Sequence, residues 1–170
     1  MNAIEDIIDD LLAREGGFCN IAQDRGGATN YGITQNTLSG WLKREATVAE
    51  VKNMTVETAR DIYRQLYYVE PGFARIADPD LLGLMVDSAV QHGTNTVTRW
   101  LQRACDVAQD GVLGPTTATA IESHGGAWLY RRLLAIRIGY YFSIIANNPS
   151  QVIFAKGWFN RIKPFIENAP

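Results

Sequence analysis

Helix start and stop signals recur at short intervals along this chain, and no long run alternates apolar and polar residues as a half-buried strand would. That punctuation restricts the chain to a mainly α fold. The first segment sets the pattern. Ile4, Ile7, Ile8, Leu11 and Leu12 recur at helical spacing, with Glu5, Asp6, Asp9 and Asp10 between them. This predicts an amphipathic helix with an acidic outer face. Asn2 is placed to cap its start, and Gly16-Gly17 to end it, because glycine readily takes the left-handed conformation that stops a helix.

Residues 16–34 break the pattern. Gly16, Gly17, Gly26, Gly27 and Gly32 separate short polar and β-prone stretches, which predicts a loop or small hairpin. Helices then resume. Thr34 opens a segment to about Arg44, Thr47-Val-Ala-Glu50 has the capping-box pattern, and Thr55 caps a longer helix that Pro71-Gly72 stops. Further helices are expected over Pro79–Gln91, Thr94–Val107, from Pro115, over Gly126–Asn147 and near Gln151–Phe159. The expected fold is a single mainly α domain of about seven or eight helices, with the hairpin near residues 16–34.

The chain's 170 residues suffice to bury a real core, and 46% hydrophobic with 20% charged residues is a globular composition. Charge or glycine interrupts every apolar stretch well short of the ~20 residues that a spanning helix needs, so no integral membrane segment is expected. Met1-Asn2-Ala3-Ile4-Glu5-Asp6 carries neither a basic nor an apolar leader region, and synthesis in the cytoplasm without a signal peptide is the expectation. Two cysteines far apart, Cys19 and Cys105, with only His92 and His124 beside them, read as free thiols rather than a disulfide or zinc framework.

Charge is uneven: residues 1–90 carry −6 and residues 91–170 carry +4. Arg131, Arg132, Arg137, Lys156, Arg161 and Lys163 stand among apolar residues, as a surface for an anionic partner or a solvated helix face would both require. No nucleic-acid motif accompanies them, and no nucleic-acid partner is expected.

Glu15 carries the most chemical information. It stands four residues after Leu11 and seven after Ile8, so it continues the apolar stripe and not the acidic face. A carboxyl group at a core edge beside a helix C-terminus is favoured as the neutral acid, the form from which a general acid donates. Asp24 follows across the Gly-rich stretch, where a hairpin would return it toward Glu15. Two carboxyl groups across a cleft are the usual glycosidase arrangement. The plainer alternatives are a structural Glu at a helix end and a turn Asp before Gly-Gly.

The run Glu15-Gly-Gly-Phe, followed by Asp24-Arg-Gly-Gly-Ala-Thr-Asn-Tyr-Gly-Ile-Thr34, resembles the signature of glycoside hydrolase family 108, bacterial and phage muramidases with a lysozyme-like fold. More remotely the layout resembles phage-type lysozymes, in which a Glu ends the first helix and an Asp follows after eight intervening residues, as Asp24 does here. There a Thr follows after five more; Thr29 follows after four. Val86-Asp-Ser-Ala-Val-Gln-His-Gly93, Trp100-Leu-Gln102 and Asp110-Gly-Val-Leu-Gly-Pro-Thr-Thr117 resemble the predicted peptidoglycan-binding region that accompanies this family, and Gly157-Trp-Phe-Asn-Arg161 its usual ending.

The resemblance implies a catalytic lobe over residues 1–75 and a helical wall-binding lobe over residues 76–170, packed as one compact unit. It implies Glu15 as catalytic acid, with Asp24 and Thr29 as further catalytic residues. Asn30, Tyr31, Asp87, Gln91 and His92 are the expected substrate-binding residues. The implied partner is the glycan strand of peptidoglycan, reached with a holin or another export helper, and no cofactor or metal is implied. A lytic transglycosylase, a non-catalytic wall-binding protein and a secretion accessory protein remain alternatives at this point. Trp41, Trp100, Trp128 and Trp158 are candidates for stacking on sugars and equally for core positions.

Overall fold

The computed structural model describes residues 3–20 and 27–170. Among these are nine α-helices, one more than the upper expectation: α1 (Ala3–Glu15), α2 (Gln35–Leu42), α3 (Val48–Lys52), α4 (Val56–Arg64), α5 (Pro79–His92), α6 (Thr94–Ala104), α7 (Pro115–His124), α8 (Gly126–Asn147) and α9 (Ala155–Glu167). A two-stranded antiparallel sheet pairs β1 (Thr29–Asn30) with β2 (Ile33–Thr34). The chain separates into two compact units, residues 1–66 and 67–170.

In the first unit, Ile4, Ile8 and Leu11 turn the buried stripe of α1 inward. Ala59, Ile62 and Tyr63 do the same for α4. The acidic face of α1 is not simply solvated: Arg64 reaches Glu5 at 2.7 Å and Arg60 reaches Asp9 at 2.7 Å, tying α4 to α1. Arg64 holds the Glu5 carboxyl below its usual range. Thr34, Thr47 and Thr55 each cap the helix they precede, and at Thr47 both halves of the capping box form. The capping bonds and Arg44 pull Glu50 down to about 2, with Arg44 the larger cause.

The hairpin is held on both sides. Thr29 pairs with Thr34 across the sheet and exchanges backbone bonds with Cys19 on its other edge, both at 2.8 Å. Asn30 is buried, and its amide donates to the carbonyls of Val51 and Lys52 at 3.1 and 3.2 Å, pinning the sheet to the end of α3.

In the second unit, α5, α6 and α8 pack around Leu81, Leu84, Met85, Val97, Leu101, Leu129 and Leu133. The loop between α6 and α7 is clipped by Gln102. Its side-chain amide donates to Asp110 at 2.6 Å, to the Val112 carbonyl at 3.0 Å and to Thr117 at 3.2 Å, while its oxygen accepts from Gly111 N–H at 2.9 Å. Those bonds explain Gln102, Asp110-Gly111 and Thr117 as one loop-closing device.

The C-terminal end differs from expectation. A 3-10 turn over Pro149–Phe154 precedes α9, which continues to Glu167 with Pro164 inside it. Proline in a late turn removes one N–H without ending the helix here, so the segment runs well past Phe159.

Candidate active site

Glu15 is the last residue of α1, and Gly16 follows in the left-handed region at φ +74°, so the helix stops where the sequence places the stop. The Glu15 side chain is half-buried. It lies against the hairpin tip. A β-carbon at Gly32 would come within 2.9 Å of Glu15 Oε2 and 2.6 Å of the Tyr63 hydroxyl, so only glycine leaves the room that these two groups occupy.

The tip itself is a two-residue connection with both residues in the left-handed region, Tyr31 at φ +52° and Gly32 at φ +74°. This is the twist that a tight hairpin favours, and Gly32 takes it without cost. Tyr31 does not, since a side chain there costs ~1–2 kcal/mol. The Tyr63 hydroxyl compensates by donating to the Tyr31 carbonyl at 2.9 Å. α4 therefore holds the turn, and the turn packs on the carboxyl group at the end of α1. The result is a carboxyl group at the end of α1, a phenol hydroxyl near the same glycine and a backbone surface without side-chain obstruction.

Of the other expected site residues in the first unit, Thr29 lies in β1 and its hydroxyl donates to the Gly27 carbonyl at 3.4 Å. Asn30 is buried, and its amide holds the hairpin to α3. Tyr31 is half-buried at the tip. Asp24 lies outside the described residues.

Asp87, Gln91 and His92 belong to α5 in the second unit. Asp87 is 1% exposed and its carboxylate pairs with Arg137 at 2.7 Å and Arg161 at 3.2 Å. Arg137 is itself fully buried and also donates to Ser88 at 3.1 Å and Gln91 at 2.9 Å; Gln91 accepts in addition from the Tyr141 hydroxyl at 2.6 Å. The side chains of Asp87 and Gln91 are thus engaged in a buried polar network that joins α5 to α8, with Arg161 of α9 at its edge. Arg137 does not belong to any basic surface, against the reading of α8 as a solvated cationic face. His92 packs among Trp100, Tyr140 and Tyr141, with ring centroids 5.1 to 5.5 Å away. Burial and the nearby Arg137 and Arg161 push it down from its ordinary 6.5 to about 4, which keeps it neutral near pH 7. Burial raises the Cys105 thiol to about 11, while Cys19 is exposed, and both are free.

The glycosyl hydrolase 108 profile matches residues 8–93, just over half of the chain. The chain belongs to glycosyl hydrolase family 108. A second profile, described as a predicted peptidoglycan domain, matches residues 92–163. The solved structure of Brucella abortus SagA is similar over 98% of this chain and 92% of that one, at 30% identity and a TM-score of 0.84. No curated protein sequence matches the chain. The chain is therefore a glycoside hydrolase of this family joined to a peptidoglycan-directed region.

Within this family 108 chain, the position of Glu15 at the end of α1 was legible from the helix stripe and from Gly16-Gly17. Tyr63 was not. Its spacing with Ala59 and Ile62 marks it as core, and only its hydroxyl, which a buried tyrosine must satisfy, hinted at a bond to make. Gly32 stood among several glycines, and nothing in its spacing distinguished the one that faces the carboxyl group.

Proposed function

We propose that this family 108 hydrolase cleaves the β-1,4 bond between N-acetylmuramic acid and N-acetylglucosamine in peptidoglycan, with Glu15 as general acid. The observation that supports the reading is the half-buried Glu15 carboxyl at the end of α1, packed against Gly32, which the Tyr63 hydroxyl also approaches. Glu15 donates its proton to the glycosidic oxygen as the bond to the muramyl anomeric carbon breaks. Water supplies hydroxide to that carbon and its remaining proton restores the acid. Asp24 is the partner that the sequence nominates to orient water or to stabilise the positive charge developing on the sugar. Thr29 and Tyr31 line the same stretch of chain as aids to placing water or sugar. Residues 1–75 carry the chemistry in this reading, and residues 76–170 hold the glycan strand.

The test is mass spectrometry of fragments released from purified sacculi. Hydrolysis leaves reducing N-acetylmuramic acid ends. Anhydro ends would assign the chain to transglycosylation, and the absence of any fragment would remove the catalytic reading altogether. Glu15→Gln should fold normally and lose at least about 100-fold in rate, because an amide has no acidic proton to give. Wild-type rates in that variant would remove Glu15 from the mechanism.

A further inference from the structure

One extended apolar surface among the described residues has no use in the proposed hydrolysis. It is formed by the second half of α8, the 3-10 turn Pro149–Phe154 and α9. Ile153 is 75% exposed and Phe142 69%, and Val152, Phe154 and Phe159 are exposed beside them. Ile138, Phe142, Ile145, Trp158, Phe159 and Ile166 line a groove of about 320 Å³ between α8 and α9 with almost no polar surface. Isolated exposed apolar residues are ordinary, but a contiguous face of aromatic and branched side chains marks a binding surface.

The charge around this face identifies what covers it. From Ser123 to Ile166 the chain has no Asp or Glu, while Arg131, Arg132, Arg137, Lys156, Arg161 and Lys163 all fall in that span. Arg137 and Arg161 are spent on Asp87. Lys156 and Lys163 are exposed and seven residues apart on α9, so they stand in line on one stripe with Phe159 beside them. The Lys163 ammonium also reaches Glu167 at 3.0 Å, an exposed pair worth little. The same face of a second copy, packed about a two-fold axis, would bring the same cations against them. No helix among the described residues is long and apolar enough to span a bilayer, and α8 carries three arginines.

We propose that this face lies on an anionic phospholipid surface. The phenylalanines and isoleucines enter the headgroup boundary, and Lys156 and Lys163 extend to the lipid phosphates while their stems cover apolar surface. The inference stands apart from the hydrolytic reading. An enzyme without muramidase activity would bind vesicles in the same way.

The full-length protein, floated with phosphatidylethanolamine vesicles with and without phosphatidylglycerol, tests it. Binding should be at least about fivefold greater with phosphatidylglycerol at low salt and should fall as salt rises. Lys156→Glu with Lys163→Glu should remove most of that difference. Phe142→Ser with Ile153→Ser should abolish binding, with the circular dichroism spectrum and melting temperature unchanged; both residues are exposed, and the lysine pair keeps the test decisive if this variant unfolds. Equal binding to both vesicle types, or wild-type binding in the lysine variant, overturns the proposal. A dimer in solution that Phe142→Ser dissolves would overturn it too, assigning the face to a second copy.

Discussion

Glu15 and Gly32 are in contact through space that a side chain would fill: a β-carbon at Gly32 would lie 2.9 Å from Glu15 Oε2 and 3.1 Å from its Cβ. The backbone at Gly32 is also left-handed, at φ +74°. Gly32→Ala therefore imposes backbone strain of ~1–2 kcal/mol and displaces the carboxyl group as well. Its melting temperature should fall, and lytic turnover should fall at least about tenfold, since small misplacements of a reacting group are costly. Gly139→Ala is the comparison. Gly139 lies inside α8 with nothing within 4 Å of its β-carbon and should gain ~0.5–1 kcal/mol in stability. Equal losses in the two variants would show that the site at Gly32 is not special.

Tyr63→Phe separates the hydroxyl from the ring. The ring still fills the core beside Ile62 and Ala59, but the Tyr31 carbonyl loses its donor. Stability should drop by about 1 kcal/mol, the usual net value of one hydrogen bond. Turnover should drop severalfold because the tip that packs on Glu15 loosens. Denaturant melts alongside sacculus clearance check both, and unchanged clearance with reduced stability would confine Tyr63 to the fold.

The parts of this molecule that were legible are those decided locally. Thr34, Thr47, Thr55 and Pro115 mark helix starts because caps and first-turn prolines act on neighbouring backbone groups. Gly16 marks a stop for the same reason. What escaped depends on partners far along the chain. Asp87 and Arg137 were counted in opposite charged halves, yet they form one buried pair. Leu129, Leu133, Arg137 and Tyr141 fall at successive steps of four and all are buried, so a cation inside an apolar stripe was the available signal. The bonds from the Asn30 amide to the carbonyls of Val51 and Lys52 were likewise not legible, because both partners lie more than twenty residues along the chain.

Arg137→Ala should accordingly act on folding and not on surface charge. It removes the main partner of a buried carboxylate and three further bonds, and breaking a buried pair in this way costs about 3–5 kcal/mol. Arg132→Ala loses an exposed pair with Asp106 and a cation–π contact at 4.6 Å with the exposed Trp128 ring, and should stay within about 2 kcal/mol of wild type. Chemical denaturation of the two variants decides the point. Similar small effects would mean that the buried network contributes nothing to the second unit.

His92 gives the second unit a pH dependence of definite sign. Its folded pKa of about 4 lies below the ordinary 6.5, chiefly through burial and then through Arg137 and Arg161, with Asp87 opposing them. As pH falls the unfolded chain takes up the proton first, so stability is full above about 6.5 and declines down to about 4. Allowing for partial exposure, the loss is about 1–2 kcal/mol across that window. Glu50, held down from 4.5 to about 2, begins to lose its contribution only as pH falls below about 4.5, so it overlaps only the acid end of that window and affects the wild type and a His92 variant alike. His92→Phe keeps an aromatic ring beside Trp100 and Tyr141 and has nothing to protonate. Its melting temperature should therefore decline less than that of the wild type between pH 6.5 and pH 4. Parallel declines in the two proteins would show that His92 is protonated in the folded state as readily as in the unfolded chain.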